Sequence, residues 1–325
     1  MAGRVGRRGT PLGVEPPEPI FDGRSDPTGR LGPPMQPSPP VIDDVTLVIP
    51  TLGRASLRDC LDAVASGTTW PARIVLVDQG SNEETDDWVH ELAARSMEVD
   101  HVRSTQRGTA AAMNLALEQV DTTLVAVTHD DCLVHREWLR LMADRMRDEG
   151  QAIITGQVRP EEGAVVPGTI TSTEPVRHER PLVDRDPLFP DNMGFPLAVA
   201  LRLGPFDEDE RLRFAEDAEW CYRALRSGIP IVYAPELVVT HLGWRDQAQR
   251  AATYRNYARS QGGFYGKYLR RGDWFIALRT FYDLARGPWM WLRGTVQRNP
   301  DLAAYGRAYM TSLLAGLVAG LRRSR

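Results

Sequence analysis

Short apolar runs that recur between helical stretches constrain this chain most. Val45-Thr-Leu-Val-Ile49, Arg73-Ile-Val-Leu-Val77 and Thr123-Leu-Val-Ala-Val127 are rich in branched residues and carry almost no alternation with polar ones. A run of this kind is a strand with both faces buried. Helical spacing fills the gaps. Leu57, Leu61 and Val64 recur behind Ser56, which reads as the N-cap, and Gly67 ends the pattern. Thr109 to Gln119 and Trp138 to Met146 are also helical. Further on, Ala152–Thr155 and Leu197–Leu201 read as strands, and Asp217–Ser227 reads as a helix stopped by Gly228. Ile231–Tyr233 and Leu237–Thr240 read as strands. Alternation of strand and helix predicts an α/β fold whose mostly parallel sheet is covered by helices on both faces. In such sheets ligands bind beyond the carboxyl ends of the strands.

The flanks differ from this centre. Met1 to Pro40 holds ten of the 24 prolines and seven glycines without apolar periodicity, so residues 1–43 read as a disordered tail. Residues 44–247 form the α/β domain, and 248–325 a basic, aromatic, helical region. Gly156 to Asp191 reads as a long, poorly periodic loop. Net charge is -4, yet from Arg245 onward fifteen Lys and Arg stand against four Asp. That asymmetry points to an anionic partner for the C-terminal part. Ala308–Leu321 is apolar but too short for the ~20 residues that span a bilayer. It either packs on the core or lies in a membrane interface, with Trp289, Trp291 and Tyr305 as anchors. Three scattered cysteines and no N-terminal apolar segment point to a reducing, cytoplasmic setting, peripheral to the inner face of the plasma membrane if the C-terminal part meets lipid.

Acidic residues stand where apolar strands end. Asp78 opens Asp78-Gln-Gly-Ser81, a turn in which Gly80 is at home. The strand ending at Val127 runs into Thr128-His-Asp-Asp-Cys132, where two adjacent carboxylates repel each other and call for a cation. Oxygen ligands of this kind suit Mg²⁺ or Mn²⁺, which retain substrate phosphates. Glu216 and Asp217 open a helix, where negative charge is favoured and where the pair would serve as a cap. His241 follows Leu237-Val-Val-Thr240.

In order along the chain, these pieces resemble family 2 glycosyltransferases of the GT-A fold, from about Val45 to Trp244. Val48-Ile-Pro-Thr51 with Arg54 is similar to that family's first strand, and Val77-Asp-Gln-Gly-Ser81 to its nucleoside-binding turn. Gly108 and Asn114 match positions ahead of the metal motif, which His129-Asp-Asp131 occupies. Asn192-Met193 and Gly204-Pro-Phe-Asp207 resemble the segment before the catalytic acid. Glu216-Asp217 with Cys221-Tyr-Arg223 resembles the ED motif.

The resemblance implies an inverting, metal-dependent transfer of a sugar from a nucleotide-sugar to an acceptor hydroxyl, and the basic, aromatic C-terminal region suits a cell-envelope or lipid-linked glycan as acceptor. It implies Asp217 as base with Glu216 beside it, and Asp131 and His241 on a divalent metal, with His129 as a further candidate ligand. It implies Pro50, Thr51, Arg54, Asp78, Gln79, Gly108, Asn114 and Asp130 on the donor, and Asn192 and Met193 on the acceptor side. Two departures stand out. Gln79 replaces an acid and leaves the donor's base open, and His129 replaces the first acid of the metal motif. They give room to a non-catalytic relative that binds sugar-nucleotide or a partner. A nucleotidyltransferase would show a Gly-rich loop with Lys after the first strand, and an oxidoreductase a GxGxxG; neither is present. No nucleic-acid recognition motif accompanies the basic tail.

Overall fold

The structure is a computed structural model that describes residues 38–243 and 245–322. The proposed tail up to residue 37, Trp244 and the last three residues lie outside the described residues. In chain order the elements are β1 (Val41–Thr51), α1 (Ser56–Ala65), β2 (Trp70–Asp78), α2 (Glu84–Ala94), β3 (Val99–Arg103), α3 (Thr109–Leu117), β4 (Leu124–Thr128), β5 (Cys132–Val134) and α4 (Trp138–Glu149). There follow β6 (Ile153–Pro160), β7 (Val176–His178), β8 (Asn192–Pro196), α5 (Leu197–Leu203), α6 (Glu216–Arg226), β9 (Ile231–His241), α7 (Gln247–Leu269), α8 (Trp274–Val296) and α9 (Pro300–Leu321).

One sheet of order β3-β2-β1-β4-β8-β6-β9-β5 runs through the α/β part, with β7 also on β9. β3, β2, β1 and β4 are mutually parallel, as the apolar runs imply. β8 enters from a loop rather than a crossover helix and pairs antiparallel with β4 and β6. With β5 and β7 antiparallel to β9, the sheet is mixed. Both faces are covered. Leu47, Ile49, Ile74, Leu76 and Ala126 face one apolar layer with α1, α2 and α4. Val48, Val75, Val77, Val125 and Val127 face the other with α3, α5 and α6.

Several boundaries differ from the expectation. Val41–Asp43 are strand, not tail, and extend β1 onto β2 at Trp70 and Pro71. Leu197–Leu201 is helical, because Pro196 closes the strand and Val199, Ala200 and Leu203 then bury at helical spacing. The strand is the preceding Asn192–Pro196. Ser56 does not cap α1: Ala55 holds that position without a side-chain bond, and the Ser56 hydroxyl is buried without a partner. Ile231–His241 is one strand, bulged where β6 passes from Gly156 to Gln157.

The described residues from 39 onward form one compact unit, so the C-terminal helices belong to the same body as the sheet. A third apolar cluster joins Leu212 and Tyr222 to Phe264, Tyr265, Ile276 and Leu313. α9 lies against α7 through backbone: a Cβ on Gly316 would stand 1.8 Å from the Arg259 carbonyl, and one on Gly262 2.1 Å from that of Leu313. We expect Gly316→Ala to cost about 2 kcal/mol, since neither backbone can give way. Scanning calorimetry would show this as a Tm lower by several degrees, and an unchanged Tm would mean the helices do not meet this closely.

α8 also reaches back to the long loop before β8. Arg279, on its buried face, holds Asp186 through two bonds of 2.8 and 2.7 Å, and Arg286 donates to the Asp184 carbonyl at 3.0 Å.

Candidate functional site

The carboxyl ends of β1, β2 and β4 lie side by side, since Thr51 pairs with Asp78 and Val48 with Val127. Thr128 pairs with Asn192 at the start of β8, which places Asp191 there too. β5 pairs Cys132 with His241 and so sets His241 next to Asp131. These ends and the first turn of α6 surround a cavity of about 460 Å³. Pro50, Thr51, Arg54, Gln79, Gly108, His129, Asp130, Asp131, Glu216, Asp217 and His241 all line it.

The two adjacent aspartates divide the charge problem between them. Asp130 accepts from the Thr51 hydroxyl at 2.7 Å, the Leu52 amide at 3.2 Å and the Arg54 guanidinium at 2.6 Å. It fastens the loop after β1 and is neutralised there. Asp131 lies with its Oδ1 3.8 Å from His241 Nε2 and its Oδ2 4.0 Å from the same Arg54 guanidinium. His241 Nδ1 donates to the Leu242 carbonyl at 2.9 Å, so in the neutral ring Nε2 presents a lone pair to the carboxylate. A carboxylate and an imidazole placed in this way can hold a cation between them. Asp131, His241 and Cys132 offer atoms all within 4.8 Å of one another. One carboxylate and one imidazole suit Mg²⁺ or Mn²⁺ that completes its shell with substrate oxygens. Burial pushes the Cys132 thiol up, so it stays a neutral and poor ligand for such an ion.

His129 stands outside this group. Its Nδ1 lies 2.6 Å from Asp191 Oδ1. Burial alone would lower its pKa, but the charge and hydrogen bond of Asp191, with Asp131 and Asp130, push it up to about 9. Asp191 is correspondingly held low against its own burial. Its Nδ1 is thus engaged by Asp191, and His129 is not among the atoms grouped around Asp131 and His241. Glu216 and Asp217 are raised above the ordinary carboxylate range. Burial is the first cause for both; the charge of Asp217 adds to it at Glu216, and those of Asp186 and Asp191 at Asp217.

Four expected residues lie outside the lining. Asp78 accepts from the Gly80 amide at 2.7 Å and meets His101 Nε2 at 3.2 Å, which shapes the turn. That turn needs Gly80, where a Cβ would stand 2.1 Å from the Leu52 carbonyl. Asn114 bonds Phe206 and Glu208. Asn192 is fully buried, accepting from Trp138 Nε1 and donating to the Gln157 and Leu237 carbonyls. Met193 is core. The side-chain polar atoms of Asp78, Asn114 and Asn192 are bonded within the fold, and none of the four residues lines the cavity.

Gln79 lines the cavity, yet its amide is spent as well. Nε2 donates to the Gln106 and Gly108 carbonyls at 2.7 and 3.0 Å, and Oε1 accepts from the Gly108 amide at 3.2 Å. It staples the loop before α3 rather than presenting donors to a base. We expect Gln79→Ala to lose about 2 kcal/mol of stability and to speed tryptic cleavage after Arg107. Unchanged melting and cleavage would show that the staple carries nothing.

Sequence reasoning missed Asp191, Arg107, Arg213, Phe214, Arg245 and Tyr257, all on the cavity wall. Phe214 and Tyr257 stand 6.3 Å apart there. The missed residues sit in aperiodic loops or on α7; the signal within reach was four arginines near the strand ends and the ED pair.

Residues 46–198 match the family described as glycosyl transferase family 2. The chain is similar to a pre-mycofactocin glycosyltransferase of Mycobacterium tuberculosis, 28% identical over 309 residues, covering 89% of this chain and 56% of that protein. It is also similar to glycosyltransferase AglE of Haloferax volcanii, 24% identical over 204 residues, covering 61% of this chain and 66% of that one. The chain thus spans less than two thirds of either relative. Among solved structures it resembles the mannosyltransferase PcManGT of Pyrobaculum calidifontis in complex with GDP-Man and Mn²⁺, with a TM-score of 0.55 and 18% identity over 86% of this chain and 87% of that one. That likeness establishes a GT-A fold.

Proposed function

From a chain that carries a family 2 glycosyltransferase domain over residues 46–198, we propose an inverting, metal-dependent enzyme that moves a sugar from a nucleoside-diphosphate-sugar to an acceptor hydroxyl. The acceptor is a cell-envelope or lipid-linked glycan, and the enzyme works in the cytoplasm at the inner face of the membrane. One observation carries the reading. A facing carboxylate and imidazole share a cavity with a raised carboxyl pair and with Arg54, Arg107, Arg213 and Arg245.

Asp131 and His241 would hold a divalent cation, which would supply Lewis-acid stabilisation of the leaving diphosphate. The arginines and His129 place further positive charge along the wall where the diphosphate lies. Asp217 accepts the proton of the acceptor hydroxyl as its oxygen attacks the anomeric carbon and the bond to the diphosphate breaks. A carboxylate suffices, because the hydroxyl becomes acidic only as the new bond forms. A single displacement inverts the anomeric centre. Glu216, raised by its burial and by the charge of Asp217, stands beside the base and either orients it or contacts the acceptor.

Calorimetric titration with UDP-, dTDP- and GDP-sugars, each with Mn²⁺ and after chelation, tests this. We expect one donor class to bind, at least about tenfold more weakly without metal. Folded protein that binds none of them would end the reading.

A further inference from the structure

α8 is amphipathic in the reverse sense. Its buried positions are Ile276, Arg279, Thr280, Asp283, Gly287 and Gly294. Opposite them stand Trp274, Phe281 and Val296, exposed to 71, 72 and 74%, with Leu292 at 57% and Trp289 at 55%. These residues recur at helical spacing and form one outward stripe. A helix in water turns such a stripe inward; here glycine, threonine and charged groups face the protein while indole and phenyl rings face out.

The charge around the stripe has one sign. After Gln247 the chain holds three acids. Asp283 is buried, Asp301 pairs with Arg250, and Asp273 caps α8 and accepts from Tyr222. Every exposed charge described beyond Gln247 is therefore cationic, Arg270, Arg271, Arg293, Arg298 and Arg307 among them. Arg293 lies over the Trp289 ring at 5.2 Å. No described helix is long and apolar enough to cross a membrane. Exposed aromatic rings, one of them under Arg293, on a helix that does not span and in a region whose exposed charges are all cationic, match the headgroup layer of an anionic bilayer. A second copy would bring two cationic faces together and repel.

We propose that the outer face of α8 is the surface by which this protein lies on an anionic membrane. This deepens the membrane placement given above and is independent of the transfer chemistry. The full chain is sedimented with vesicles of phosphatidylcholine alone and of equal parts phosphatidylcholine and phosphatidylglycerol, at low and high salt, while tryptophan emission is followed. We expect binding to the anionic vesicles with a blue shift, and weak binding to the neutral ones. The triple variant Trp274→Ser, Phe281→Ser, Leu292→Ser should bind at least about a hundredfold more weakly with unchanged melting. Arg271→Gln with Arg293→Gln should weaken binding and flatten its salt dependence. A full chain that ignores anionic vesicles at low salt removes the membrane placement altogether. Binding that survives the triple variant leaves the placement standing and overturns the assignment to α8. A dimer in light scattering that the triple variant dissolves would hand this face to a second copy and overturn the proposal.

Discussion

Asp217→Asn is expected to lower sugar transfer by about 10³-fold while leaving donor affinity within about twofold. Asparagine keeps the shape and can still accept from the amides at the start of α6, so the cavity is unchanged, but it takes no proton from an attacking hydroxyl. Initial rates and donor titration on one preparation separate the two effects. A variant with near-normal turnover removes Asp217 from the role of base. The wild-type pH profile carries the same information. Burial raises this carboxyl, and the base acts only when ionised. The acid limb of kcat should therefore lie at least about one unit above the pH near 4 where an exposed aspartate titrates, and it should disappear in the variant.

Asp131→Asn should act on both binding and chemistry. Donor affinity falls at least about a hundredfold and becomes indifferent to chelation. Transfer falls by about 10³-fold or more, because the leaving diphosphate loses its cation. Asp130→Asn is the informative contrast. That carboxylate is already bound to Thr51, Leu52 and Arg54, so its loss should lower the melting temperature and loosen the loop after β1 while donor binding stays sensitive to metal. If the two variants behave alike, the division of labour between the neighbouring aspartates is wrong.

Much of the fold was legible because both faces of the parallel strands are buried, which leaves the long apolar runs at Val45, Ile74 and Leu124. What stayed hidden follows from the same physics. β3 is Val99-Asp-His-Val-Arg103, a half-exposed edge strand with no apolar run. β8 carries glycine at 194, where Met142 and Met146 pack on its backbone, and a bonded asparagine at 192, and its apolar neighbour Leu197–Leu201 took the strand reading. Asp131, Glu216, Asp217 and His241 were visible as carboxylates and a histidine at strand and helix ends. Asp191 was not, for it ends an aperiodic loop and acquires meaning only where β8 meets β4. Asn114 and Asn192 were visible as residue types, but only their partners tell that they serve the frame.

The bond between Arg279 and Asp186 sets an order in time. The two residues are 93 positions apart, and Asp186 belongs to the loop that carries Leu188, Phe189 and Asp191 to the cavity. During synthesis the strands of the sheet are complete well before α8 leaves the ribosome. Until α7 and α8 dock, that loop lacks the bonds that Gln261 and Arg279 make to Asp186, and Thr253 and Tyr257 of α7 are missing from the wall. The cavity wall is therefore complete only when α7 and α8 have docked on the sheet, and a contact 93 positions away in the chain helps to hold the loop that reaches it.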